Sequence, residues 1–212
     1  MVRMGDAAAM MGFRPQVVVH MAAWINAGIV ADHRTYRDNV AGAFNVASAA
    51  ASARAARVIL GSSAQVYGFA EHAPVAVTVS EEHPLRRLNA YALSKMAAEE
   101  IGRYIGARTD TCVLSFGIMG ALVAEAMAQE VADLRADPAS GRFLLWTRVD
   151  VRDVARACLL AVEADLVPGG AYNITGASIL VPGMTRDLLE RHCPGLNLAR
   201  RPHRNPDALR IA

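Results

Sequence analysis

The chain has 212 residues, 53% of them hydrophobic with alanine prominent, enough for one domain with a substantial core and too apolar for a disordered chain. A formal net charge of +2, with no dense basic stripe, argues against a nucleic-acid partner. The longest nearly apolar run, residues 17–31, contains His20 and Asn26 and is too short to cross a membrane, so the expectation is a soluble, cytoplasmic protein.

In chain order, the first element is a short apolar strand, "QVVVH" (16–20), followed by an alanine-rich helix over about 35–55. A second strand, "RVILGSS" (57–63), leads to a helix over 89–107, and a third, "TCVLSFG" (111–117), to a helix over about 121–136. Residues 149–164 read as another helix, with Asp150 or Asp153 near its start. "AYNITG" resembles a short strand, and 184–192 a last helix. Strands of consecutive aliphatic residues are covered on both faces, and their alternation with helices predicts an α/β fold: a parallel sheet with crossover helices. Ligands in such sheets bind beyond the carboxyl ends of the strands. Those ends are His20 to Ala23, Gly61 to Ser63 and Gly117 to Gly120.

Cys112, Cys158 and Cys193 are odd in number and widely spaced, and no C-x-x-C or H-x-x-x-H pattern occurs, so neither a disulfide framework nor a metal site is expected. Arg200, Arg201 and Arg204 read as a solvated cluster. Asn173, Ile174 and Thr175 match a glycosylation sequon by chance.

Among the 22 basic residues only Lys95 is a lysine, and Tyr91 stands four residues before it. On a helix the two share a face. An ammonium near a phenol favours the phenolate, so the tyrosine can exchange a proton with a substrate hydroxyl near neutral pH. The compact ammonium also suits vicinal hydroxyls in a way a forked guanidinium does not. The alternative is an ordinary amphipathic helix with Tyr and Lys on its surface; with five tyrosines in the chain, a lone lysine would fall four residues after one of them in roughly one sequence in forty. Ser62 and Ser63 close a buried strand upstream, where a serine can hydrogen-bond the same substrate oxygen or simply cap a turn.

The blocks "VVVHMAAW", "NVAGAFNVASAA", "VILGSSAQVYG", "NAYALSK" and "VDVRDVARACLLAVE…AYNITG" occur in an order that resembles the extended short-chain dehydrogenase/reductases. These are the NAD-dependent epimerase/dehydratase proteins, of the UDP-glucose 4-epimerase type, and the likeness runs over about residues 16–176. The resemblance implies a Rossmann-type sheet with a small substrate domain: residues 1–120 as a partial NAD(P)-binding part, and 121–212 as an interleaved substrate-domain remnant from which 149–176 return to the sheet. It implies that Tyr91 is the general base, that Lys95 binds the nicotinamide ribose and tunes Tyr91, and that Ser63 rather than Ser62 is the catalytic serine. Met21, Ala22, Ala23 and Trp24 match the loop lining the dinucleotide, Asn39 the residue bracing that loop, and Gly117 and Ile118 the chain packed on the nicotinamide. A homodimer through the helices near 35–55 and 89–107 is a family expectation.

Family dehydratases carry an acidic residue after the catalytic serine or threonine. Ala64 and Gln65 stand here, which favours epimerase or plain dehydrogenase/reductase chemistry on a sugar-like hydroxyl or carbonyl substrate. No G-x-x-G-x-x-G turn occurs in the sequence, Ser115 replaces a family arginine, and Asp6 is a displaced match to an adenine-contacting aspartate. Two readings stay open: a truncated NAD(P)-dependent epimerase or dehydrogenase whose hold on the cofactor is weakened or lost, and a non-catalytic relative kept as a binding or regulatory module. The resemblance also leaves "VVVH" as an exposed sheet edge.

Overall fold

The apolar runs and alanine-rich segments fold, in a computed structural model, into alternating strands and helices; the structure describes residues 9, 12–183 and 185–193. Asp6 and the arginines at 200, 201 and 204 lie outside the described residues. The strands are β1 (Val17–His20), β2 (Arg57–Ser63), β3 (Cys112–Ile118), β4 (Ala121–Leu122), β5 (Val149–Asp150) and β6 (Gly170–Ile174). The helices are α1 (Asp32–Ser52), α2 (Ala90–Arg108), α3 (Ala124–Ala136), α4 (Val151–Glu163) and α5 (Thr185–His192). Two 3-10 segments, Ala64–Tyr67 and Pro138–Leu144, are also present among the described residues.

The sheet is parallel and Rossmann-like, of order β1-β2-β3-β6, with α1 crossing from β1 to β2. The first pair is in step from Val17 opposite Arg57 to His20 opposite Leu60. That register makes the chain leaving β1 emerge beside Gly61. β1 is a terminal strand of the sheet, and Val19 on it is 46% exposed.

The chain divides into two compact units. The first comprises Met1–Ser62, Arg87–Gly117 and Cys158–Tyr172. Its core joins Ala47, Ala50 and Ala55 to Val58, Leu60, Ile105 and Val113. On α1 the buried residues 39, 42, 43, 46, 47 and 50 fall at helical spacing on one stripe, and α1 packs against α2 along it. Small side chains allow the close approach. A Cβ at Gly102 of α2 would stand 3.1 Å from Val113 of β3. Asn89 starts α2 by accepting the amide of Ala92 at 2.8 Å. At the end of α4, the Arg57 guanidinium donates to the carbonyls of Ala161 and Ala164, so a strand side chain satisfies orphan acceptors of a helix terminus.

The second unit comprises Ser63–Arg86, Ile118–Ala157 and Asn173–Ala212. Its core gathers Leu134, Val181, Leu188, Leu189 and Cys193 around the fully buried Trp146, whose indole N–H donates to Pro138 O at 2.6 Å. Gly141 is required beside it, since a Cβ there would meet Trp146 Cδ1 at 2.5 Å. The pair β4–β5 is parallel and two residues long. It places a strand where the sequence predicts the start of the 121–136 helix. The 149–164 helix likewise starts two residues later, after Asp150 has accepted the Arg152 amide at 2.8 Å.

Candidate active site

Tyr91, Lys95 and Glu99 recur every four residues on α2 and are 6%, 7% and 5% exposed, so they form a buried stripe rather than a solvated face. The Lys95 ammonium donates to Gly61 O at 2.7 Å and stands 5.7 Å from the centre of the Tyr91 ring. Burial pulls its pKa down to about 8. Gly61 is glycine for a spatial reason: an added Cβ would meet Met21 Sδ at 2.9 Å. The loop after β1 therefore lies directly on the end of β2.

That loop is tied to α2 through Asn39, which is 7% exposed on α1. Its side-chain oxygen accepts the Trp24 amide at 2.8 Å, and its side-chain nitrogen donates to Trp24 O and to Ser94 Oγ, both at 3.0 Å. Ser94, fully buried, donates in turn to Tyr91 O at 2.7 Å. A four-residue chain of hydrogen bonds thus runs from the loop to the tyrosine's own backbone.

The cleft beside the loop has a volume of about 420 Å³ and is lined by His20, Ala22, Ala23, Trp24, Asn39 and Gly42, with Arg34, Arg37 and Asp38 also contributing. Met21 and Ala22 are exposed, Ala23 and Trp24 half-buried. The Trp24 indole donates to Asp38 at 3.1 Å, and the Arg34 guanidinium lies 5.4 Å over its ring. The Trp24 and Arg37 hydrogen bonds hold the Asp38 carboxyl below its ordinary pKa. His20 is shifted down by burial and then by the positive Lys95, which keeps its imidazole neutral. A second cleft of about 460 Å³, lined by Gly102, Asp110, Cys112 and Gly169 among others, holds none of the predicted site residues.

Ser63 belongs to the second unit. It is 7% exposed, extended at φ −152°, and its hydroxyl accepts the Gln65 amide at 3.2 Å while capping the 3-10 segment. That bond is the turn cap, one of the two readings the sequence leaves open for the Ser62–Ser63 pair. Gly117 is buried and Ile118 half-buried at the end of β3. Ser115, at the family arginine position, is 4% exposed inside the same strand. Among the described residues, no group of three His, Cys, Asp or Glu could hold a metal, and no helix is long and apolar enough to cross a membrane.

The sequence does not single out Ser94 or Glu99, and it weighs Ser62 only as the alternative to Ser63. Glu99 leaves a trace as the next residue on the Tyr91–Lys95 face. The other two act through tertiary contacts that no spacing announces.

A family model described as the NAD dependent epimerase/dehydratase family matches residues 5–175. The chain belongs to the NAD-dependent epimerase/dehydratase family. A comparison with curated proteins gives no match. Solved structures of similar fold include the Bordetella bronchiseptica enzyme WbmG in complex with NAD and UDP, at 20% identity and TM-score 0.61, covering 95% of this chain and 64% of that one. A short-chain dehydrogenase/reductase superfamily protein from Agrobacterium tumefaciens with bound NAD matches at 23% identity and TM-score 0.63, covering 87% and 66%. RMD from Pseudomonas aeruginosa, complexed with NADPH, matches at 22% identity and TM-score 0.66, covering 89% and 69%. At these identities the structures speak for the epimerase/dehydratase fold. The chain spans about two thirds of their length.

Proposed function

We propose that this chain is an NAD(P)-dependent epimerase or dehydrogenase/reductase acting on a hydroxyl or carbonyl carbon of a sugar-like substrate, with Tyr91 as the proton-transfer group. The observation that carries the reading is the buried Tyr91–Lys95 pair, with the ammonium anchored on Gly61 O beside the loop that Asn39 holds. The family supplies the reaction class. The bound cofactor supplies hydride acceptance and donation.

The residues present fit such a cofactor. Lys95 has three N–H donors and gives one to Gly61 O, and the other two suit the vicinal hydroxyls of a ribose. Ala22, Ala23 and Gly42 keep a cleft open beside Trp24, and Met21, Asn39, Gly117 and Ile118 complete the proposed cofactor-lining set. Tyr91 takes the hydroxyl proton in the oxidative direction and returns it in the reductive one, steadied by the nearby positive charge. Ser63 is proposed as the hydrogen-bond donor to the reacting oxygen. Ala64 and Gln65 after it carry no group able to drive elimination of water, which supports epimerase or reductase chemistry over dehydration. With no glycine-rich turn among the 212 residues, the chain's hold on NAD(P) is proposed to be weak.

The test joins binding to turnover. Calorimetric titration should give NAD or NADP affinities weaker than micromolar, and NADH-linked turnover of nucleotide sugars should fall by about 10²–10⁴ in Tyr91→Phe, the range for a lost general base. Wild-type turnover in Tyr91→Phe sinks the mechanism, and micromolar binding sinks the weak hold. A homodimer through the outer faces of α1 and α2 is part of the same proposal.

A further inference from the structure

Lys95 and Glu99 stand one turn apart on α2 and engage consecutive residues at the end of β2. The Lys95 ammonium donates to Gly61 O at 2.7 Å, and the Ser62 hydroxyl donates to Glu99 Oε1 at 2.5 Å. The second distance lies at the short end for an O–H···O⁻ bond. Glu99 is 5% and Ser62 4% exposed, and the proposed mechanism uses neither. A carboxyl is costly to bury, so its retention beneath the lysine calls for a reason. Burial raises its pKa, with the Ser62 hydrogen bond opposing the rise.

Gly61 is confined from two sides. Met21 Sδ occupies the space a Cβ would take, and the following residue is clamped by Glu99. With Met21 packed against its Cα, Ser62 held by Glu99 and the residue itself inside β2, Gly61 presents its carbonyl to the lysine. We infer that Glu99 is a positioning residue for Lys95: by holding Ser62 it fixes the adjoining carbonyl that receives the ammonium. The inference deepens the proposed function, and its catalytic consequence rests on that reading. The titratable groups around Lys95 are Tyr91 and Glu99 on its own helix and His20 at the end of β1.

The single lysine makes the inference measurable. Protein grown with lysine labelled at Cε and Nζ gives one side-chain signal, and its titration by nuclear magnetic resonance reads Lys95 alone. The wild-type midpoint should fall near 8. In Ser62→Ala and Glu99→Leu the freed carbonyl releases the ammonium to water, and the midpoint should rise by about one unit toward the free value of about 10.4. Glu99→Gln, whose amide oxygen still accepts from Ser62, should stay within about 0.3 units of wild type. An unmoved midpoint in Ser62→Ala and Glu99→Leu overturns the inference. So does a Glu99→Gln midpoint displaced as far as that of Glu99→Leu, which assigns the effect to charge. If Glu99→Leu loses a folded amide spectrum, Ser62→Ala decides. The readout needs neither cofactor nor substrate, so it can fail while Tyr91→Phe still abolishes turnover, and the reverse.

Discussion

Lys95 is held in its charged form against the preference of its surroundings. Its folded pKa of about 8 lies below the unfolded 10.5, so burial favours the neutral amine. Below pH 8 both states are protonated and the folded state bears the full penalty, about 3 kcal/mol from the two values. The penalty shrinks as pH rises from 8 toward 10.5. Lys95→Met should therefore stabilise the protein at pH 7 by up to about 3 kcal/mol, with a gain that fades by pH 10, read by urea denaturation. A destabilised variant at pH 7 would show that the bond to Gly61 O outweighs the burial. At this scale the Tyr91–Lys95 spacing was legible because helices repeat every 3.6 residues. Ser62 and Glu99 are 37 positions apart, and their contact exists only once α2 lies on β2.

Strands β1, β2 and β3 and helices α1 and α2 match their predicted spans to within three residues, because short runs of consecutive aliphatic residues alternate with long alanine-rich stretches. β4 and β5 escaped notice, since two residues are too few to display an alternation. The segment between the first 3-10 turn and α2 has no regular period either, and it is organised by one side chain. His83, 6% exposed, accepts the Val75 amide at Nε2 and hydrogen-bonds Pro84 O through Nδ1, both at 3.0 Å, with Tyr67 and Phe69 against its ring. Accepting at Nε2 fixes the neutral tautomer. Burial lowers its pKa, the Pro84 carbonyl opposing and Arg86 assisting. The sign follows: the stability this neutral ring provides is complete above the unfolded value of 6.5 and is lost as pH falls below it. Melting temperature should drop between pH 7 and 5, and His83→Gln should flatten that drop. An equally steep drop in the variant would place the proton elsewhere, with His20 the next group to test.

For the molecule as a whole, five ordered sequence blocks were enough to give the α/β fold and the family. They could not give a substrate, because the connections beyond the strands take their shape from packing rather than from period. Each of the two compact units is assembled from three separate stretches of chain. The outer faces of α1 and α2 expose Tyr36, Phe44, Leu93 and Tyr104, at 38%, 44%, 37% and 54%. Aromatic side chains there at helical spacing suit a second copy of the same surface. Sedimentation velocity should show a dimer that Phe44→Glu with Tyr104→Glu converts to monomer, whereas a wild-type monomer at micromolar concentration removes the dimer from the proposal.

The bonds from Trp24 through Asn39 and Ser94 to the Tyr91 carbonyl have a mechanical meaning. They act as a stiff linkage: the loop that would grip and the turn that would react move as one part. A load applied at Trp24 is delivered to the backbone of Tyr91 with little slack, since every joint is a hydrogen bond of 3.0 Å or less and the two nearest Tyr91 are buried. Whatever settles against this loop also settles the tyrosine.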